Sequence, residues 1–256
     1  MRARHGFLAA ALAAALAAPA KAEDVAALYT ASWAGMPAGG IWFRAHDDPG
    51  GYRYEIRIQT AGLPHAVTHF RGYAVSEGEL RPDGTPAPRH YAATYDLRKR
   101  RDRHLDMQFV VRNGATVAER GPADTSDKPP LAARFRENVV DPMTVVTIVR
   151  SRLRRGTEAS FTIPVYDGAR RFDAVGRVLP KKAGDDRLRV DLVLRPIAGF
   201  KGESSSDGNP GTSPRRVELS FTDDRRLLPL SMSVPVYYLP LDVRFERLCT
   251  AATPCP

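Results

Sequence analysis

Short runs of alternating apolar and polar residues, broken by Gly, Pro, Asp and Asn, make up most of this chain. A period of two is the mark of half-buried strands joined by tight turns. The segment 52–60 is the clearest case, with Tyr52, Tyr54, Ile56 and Ile58 on one face. Ahead of it, 25–33 reads as a strand, 36–40 as a turn, 41–46 as a strand and 47–51 as a second turn, a meander of hairpins. Further strands are predicted over 67–79, 89–96, 103–112 and 116–120, the last two joined by the hairpin dipeptide Asn113-Gly114. Strands resume over 158–166, 170–179, 187–195, 215–222, 228–234 and 238–246. Asp167-Gly168 marks one more hairpin turn, and 201–214, rich in Gly, Ser, Asp and Pro, reads as a flexible loop.

One helix interrupts this pattern, predicted over 141–156. Asp141 can accept from free backbone N–H groups as an N-cap, and Pro142 suits the first helical position. Val145, Val146, Ile148, Val149 and Leu153 form an apolar stripe; Arg150, Arg152, Arg154 and Arg155 complement the dipole, and Gly156 ends the helix. So many β-branched residues make a poor free helix, so tertiary packing must hold it. The expected fold is mainly β: a highly curved antiparallel sheet or open β-barrel of about ten or more strands wrapped around one central α-helix.

The first residues have a different character. Arg2 and Arg4 precede an apolar run rich in Ala and Leu, and Ala20-Lys21-Ala22 supplies small residues at a cleavage site. This is the three-part pattern of a secretory signal peptide, predicted over 1–22. The run falls short of the roughly 20 apolar residues that span a bilayer. A single β-rich domain over 23–256 then works in the periplasm, soluble rather than membrane-spanning. Of the formal charge of +9, the basic residues Arg2, Arg4 and Lys21 carry three, leaving +6 on the exported part. Such a balance suits contact with anionic surfaces, or simply solubility, and the partners expected are a lipid, a lipoprotein or an anionic envelope polymer. Cys249 and Cys255 can close a small terminal loop where disulfides persist, and their spacing is not that of a redox pair.

Several features together resemble a known family. They are the leader, the early meander, Asp141-Pro142 opening a helix that ends in Arg150-Ser151-Arg152-Leu153, the hairpin Val165-Tyr166-Asp167-Gly168-Ala169-Arg170-Arg171-Phe172, and the late Arg225-Arg226-Leu227-Leu228-Pro229-Leu230. The chain resembles a bacterial envelope family of unknown function, the domain of unknown function 3108, over 26–248. The resemblance implies an exported β-rich protein whose shape is similar to the open barrels of the lipoprotein carriers LolA and LolB. It carries no activity and no role for the cysteine pair.

Catalytic patterns are sparse. No G-x-S-x-G elbow is present, and the serines of 204–206 lie in a loop. His65 and His69, four apart in a predicted strand, would stand ~13 Å apart, too far to share a metal. Phosphate-binding glycine loops are absent, so no cofactor is expected, and export argues against nucleic acid. Arg98, Lys99, Arg100, Arg101 and Arg103 form the densest basic cluster, either an anionic contact or a solvated hairpin tip. Trp33, Trp42, Phe70 and Phe109, like Tyr52, Tyr54, Phe161 and Phe172, either line a lipid-sized cavity or fill the core. Arg150 and Arg154 either meet an acidic headgroup or complement the helix dipole. The expected function is non-enzymatic: binding an apolar or amphipathic envelope ligand in a groove between sheet and helix. The alternative is a surface-interaction protein supporting wall or outer-membrane assembly, with a solid core.

Overall fold

The computed structural model describes residues 23–97, 100–126, 129–156, 160–181, 184–200, 213–236 and 239–255. The predicted leader 1–22, most of the 201–214 loop and the centre of the basic cluster lie outside them. Thirteen strands form one sheet: β1 (Glu23–Trp33), β2 (Met36–Asp47), β3 (Gly51–Thr60), β4 (Arg71–Leu80), β5 (Pro86–Leu97), β6 (Arg100–Arg112), β7 (Ala115–Arg120), β8 (Phe161–Tyr166), β9 (Arg171–Leu179), β10 (Arg187–Ala198), β11 (Arg215–Thr222), β12 (Pro229–Val236) and β13 (Leu239–Leu248). Two helices accompany them, α1 (Gly62–Thr68) and α2 (Thr144–Arg154).

Each strand pairs antiparallel with its sequence neighbour, and β1 pairs with β13, giving the order β7-β6-β5-β4-β3-β2-β1-β13-β12-β11-β10-β9-β8. The edges β7 and β8 do not pair directly. The chain between them runs through the gap: Ala118 N–H donates to the Arg136 carbonyl (2.9 Å), Asn138 N–H to Thr116 (2.6 Å), Val140 N–H to Pro164 (2.8 Å) and Tyr166 N–H to Val140 (2.9 Å). Both edges are thereby covered, and the sheet becomes a nearly closed barrel without a long open edge.

The pleat sorts side chains into two faces. Inward-facing Tyr29, Phe43, Tyr52 and Tyr54 pack edge-to-face, and Val190, Leu192, Val217 and Phe221 form a second cluster across the barrel. Val145, Val149 and Leu153 of α2 belong to the second cluster, while Val146 packs against the first. One helix therefore contributes to both walls. The outer face carries ion pairs such as Arg53–Glu77, Arg112–Glu119 and Arg216–Asp191, unlike the apolar belt of a lipid-facing barrel. Among the described residues no helix is long and apolar enough to cross a membrane.

Three local expectations are corrected. Residues 36–40 continue as β2, and the turn is Ala34-Gly35, both at positive φ; Pro37 is accommodated where the β1–β2 register shifts at Ser32. The predicted strand 67–79 starts at Arg71; before it stands α1, with Pro64 in its first turn and His69 at φ +51° as its C-cap. His65 and His69 are therefore one helical turn apart, with ring centroids 4.8 Å from each other, and the strand spacing assumed for them does not apply. Among the described residues no group of three or more His, Cys, Asp or Glu is placed to hold a metal ion. The predicted helix 141–156 is regular only from Thr144 to Arg154. Asn113-Gly114 turns at positive φ as expected of its hairpin.

Candidate ligand-binding site

The two ends of α2 meet different surroundings. At its last turns, Arg150 is buried (2% exposed) and donates to Asp47 Oδ2 (2.7 Å), to the Arg226 carbonyl (2.6 Å) and to the Tyr54 hydroxyl. Burial by itself would lower the guanidinium pKa; Tyr54 and Asp47 outweigh it, and Arg150 stays above the ordinary arginine range. Arg154, half exposed, shares the same Asp47 oxygen at 3.1 Å. Ser151 Oγ donates to the Gly84 carbonyl (2.8 Å) and Arg155 to that of Asp83 (3.0 Å), tying the helix end to the β4–β5 turn.

At the first turn, Asp141 accepts from the N–H groups of Met143 (2.9 Å) and Thr144 (3.0 Å), and from the hydroxyls of Thr144 (2.5 Å) and Ser76 (3.1 Å). The carboxylate thus does the work of an N-cap ahead of the regular helix. Tyr52 OH lies 2.7 Å from Thr144 Oγ1 and completes a buried network. Burial raises the Asp141 pKa, and these four donors offset only part of that.

Beside Pro142, at this same end of α2, lie two cavities. One, of about 400 Å³, is lined by Tyr91, Ala93, Tyr95, His104, Leu105 and Ser126. The other, of about 280 Å³, is walled by Phe172, Leu194, Pro196, Phe200 and Val234. Pro142 and the β8–β9 turn, through Asp167 and Arg170, border both. Arg170 pairs with Asp167 at 2.7 Å and stands 5.6 Å from the centroid of Phe200. The turn depends on Gly168 at φ +89°, where a Cβ would collide with Leu105. Gly168→Ala should therefore cost about 1–3 kcal/mol and disturb the wall between the cavities. A urea midpoint unchanged from wild type would contradict this packing.

A larger depression of about 750 Å³ crosses β10–β13 on the outside. Its lining mixes Ser220, Ser231, Ser233 and the paired Asp191 and Arg216 with Leu219, Met232 and Phe245.

Phe172 walls the apolar cavity, but Arg150, Arg154, Trp33, Trp42, Phe70 and Phe109 line neither cavity at Pro142. Arg150 and Arg154 meet at Asp47, at the far end of α2. Trp33 donates its indole N–H to the Val236 carbonyl (3.1 Å), Phe70 packs over Gly72, and Phe109 is buried among Met107 and Ala118. Trp42 lies on the outer face under Arg57. The sequence alone does not single out Tyr91, Tyr95, Leu105 or Leu194, which do line these cavities. Strand alternation could have placed them inside, but nothing local marks which inward residues face a void. Cys249 and Cys255 are joined as a disulfide.

Residues 28–236 match the family model described as "Protein of unknown function (DUF3108)". This chain belongs to that family. The DUF3108 chain is also similar to a solved structure, the beta-barrel-like protein of domain of unknown function DUF1849 from Brucella abortus. The TM-score is 0.54 with 12% identity, over 88% of this chain and 97% of that one. At that identity the likeness is one of fold, which by itself assigns no function. No curated protein matches the DUF3108 chain.

Proposed function

We propose that this DUF3108 protein is a non-enzymatic periplasmic binding protein. In this reading residues 1–22 are removed on export, residues 23–256 act as one domain, and α2 serves as the barrel's central plug. Its ligand is amphipathic, with an apolar chain entering the Phe172–Leu194–Val234 cavity and a polar end left beside Asp167 and Arg170. The observation that carries this reading is the pair of cavities flanking the Asp167–Arg170 turn, apolar on one side and edged with polar groups on the other. Ser126 Oγ, buried without a hydrogen-bond partner among the described residues, lines the polar one; such an atom is normally satisfied. A mixed lining with a few placed polar groups is the usual build of a small-molecule site. The disulfide accords with an oxidising compartment.

Native mass spectrometry of the protein from a periplasmic extract, followed by lipid extraction, tests the proposal. A stoichiometric lipid adduct is expected. Val234→Trp should lower its occupancy by at least about tenfold at a stability cost of about 1–3 kcal/mol, and Trp42→Ala should leave it unchanged. A bare mass from every preparation would shift the reading to a surface-interaction protein with a filled interior.

A further inference from the structure

Residues 249–255 form a firmly held loop. The Cys249–Cys255 disulfide closes it, and Cys249 N–H donates to the Ala26 carbonyl at 2.8 Å. Arg247 spends its guanidinium on it, donating to the carbonyls of Thr253 (2.9 Å) and Pro254 (3.1 Å). Thr250 N–H closes the loop onto the Thr253 carbonyl at 3.0 Å. This loop stands as one wall of an outer groove of about 590 Å³, opposite Trp42, Arg44 and Arg57.

The opposite wall is chemically unusual. Trp42, Arg57 and Tyr73 are direct cross-strand partners on β2, β3 and β4. The Arg57 guanidinium lies 5.0 Å from the Trp42 ring centroid and 5.6 Å from that of Tyr73. Two aromatic faces thus orient the cation. Neither Arg57 nor the exposed Arg44 meets a carboxylate among the described residues. Asp24, also on the rim, is engaged with His46 at 3.0 Å. This open groove presents one flat indole, two guanidinium groups that meet no carboxylate among the described residues, and the Thr250 hydroxyl. It fits a flat, hydroxylated ring that bears an anionic substituent.

We propose that this groove binds an acidic saccharide, its ring against Trp42 and its phosphate or carboxylate on Arg44 and Arg57. The disulfide-closed tail is the second wall of that site. The proposal does not depend on the cavities beside Pro142.

The chain has two tryptophans, Trp33 and Trp42, so Trp33→Phe leaves Trp42 as the sole fluorescent reporter. In that background, oxidised protein is titrated with glucosamine 1-phosphate, N-acetylmuramic acid, neutral N-acetylglucosamine and phosphatidylglycerol vesicles. Saturable change in Trp42 emission with one or both acidic sugars is expected, and which one responds identifies the anionic group. Affinity should fall about tenfold or more when Arg44→Gln and Arg57→Gln are combined, and fall again in Cys249→Ser/Cys255→Ser. The arginine changes are on exposed positions, so they read the site even where the cysteine variant unfolds. Absence of saturation, an equal response to the neutral sugar, insensitivity to the arginine changes, or a response to vesicles alone would overturn the proposal.

Discussion

Asp47→Ala should destabilise the protein by about 3–5 kcal/mol, the cost of leaving a buried charge without its counter-ion. Arg150 is 2% exposed, and Asp47 is the carboxylate that meets it. After the substitution only the Tyr54 hydroxyl and the Arg226 carbonyl would remain as acceptors, and neither carries charge. Arginine cannot escape by losing its proton, because even in the intact protein its pKa is held high rather than low. The second ion pair of Asp47, to the half-exposed Arg154, contributes little, since solvent screens it. Urea unfolding measures the effect. Replacing both partners with apolar residues, Asp47→Leu with Arg150→Met, should recover most of the loss, because the charge that needed compensation is then gone. A loss within about 1 kcal/mol for Asp47→Ala would mean that the pair behaves as a surface one.

Asp141→Ala should cost about 3–5 kcal/mol as well, for a different reason: it removes the acceptor of four donors, three of them buried. Thr144 and Ser76 are fully buried, so water cannot substitute. Asp141→Asn keeps one acceptor oxygen and should lose less. The same residue gives a pH signature. Its pKa in the folded protein is raised above the ordinary aspartate value of about 3.9, chiefly by burial. The folded state therefore holds this proton more tightly than the unfolded chain does. The stability so contributed is fully present below about pH 4 and is lost as pH rises through the folded pKa. Asp83, Glu119 and Asp224, whose pKa values are lowered, act in the opposite sense: their contribution is present above the unfolded value and lost as pH falls. The difference in stability between wild type and Asp141→Asn isolates the first group. Across that window the wild type should lose stability relative to the variant with rising pH. A flat difference would show that Asp141 has the same pKa folded and unfolded.

Much of the barrel is local in origin and can be read along the chain. Alternation depends only on which side of a pleat a residue falls, so Tyr52, Tyr54, Ile56 and Ile58 identify the inner face of β3 without any partner. Turn chemistry is equally local, which is why Asn113-Gly114 and Asp167-Gly168 mark their hairpins. The Asp141-Pro142 start of the helix is legible too, because a cap involves only the next few N–H groups. Where two local signals compete, the neighbourhood decides. The Gly- and Pro-rich 36–40 segment joins β2 because β1 offers it partners, and 62–68 coils because Pro64 and His69 bracket it.

Three things exist only in the folded molecule. The closing of β7 to β8 through residues 136–140 joins groups distant in sequence, and no pattern in either announces it. Arg150 reads as one of four dipole-complementing arginines. Its role as a buried counter-ion depends on Asp47, 103 positions away. The cavities beside Pro142 are gaps left where inward side chains from β5, β6, β9, β10 and β12 fail to meet. A sequence states the size and polarity of each side chain, which is enough to specify a curved β-sheet with a helix. Whether facing side chains meet or leave a void depends on the distance between strands far apart in the chain, and only the tertiary structure sets that distance.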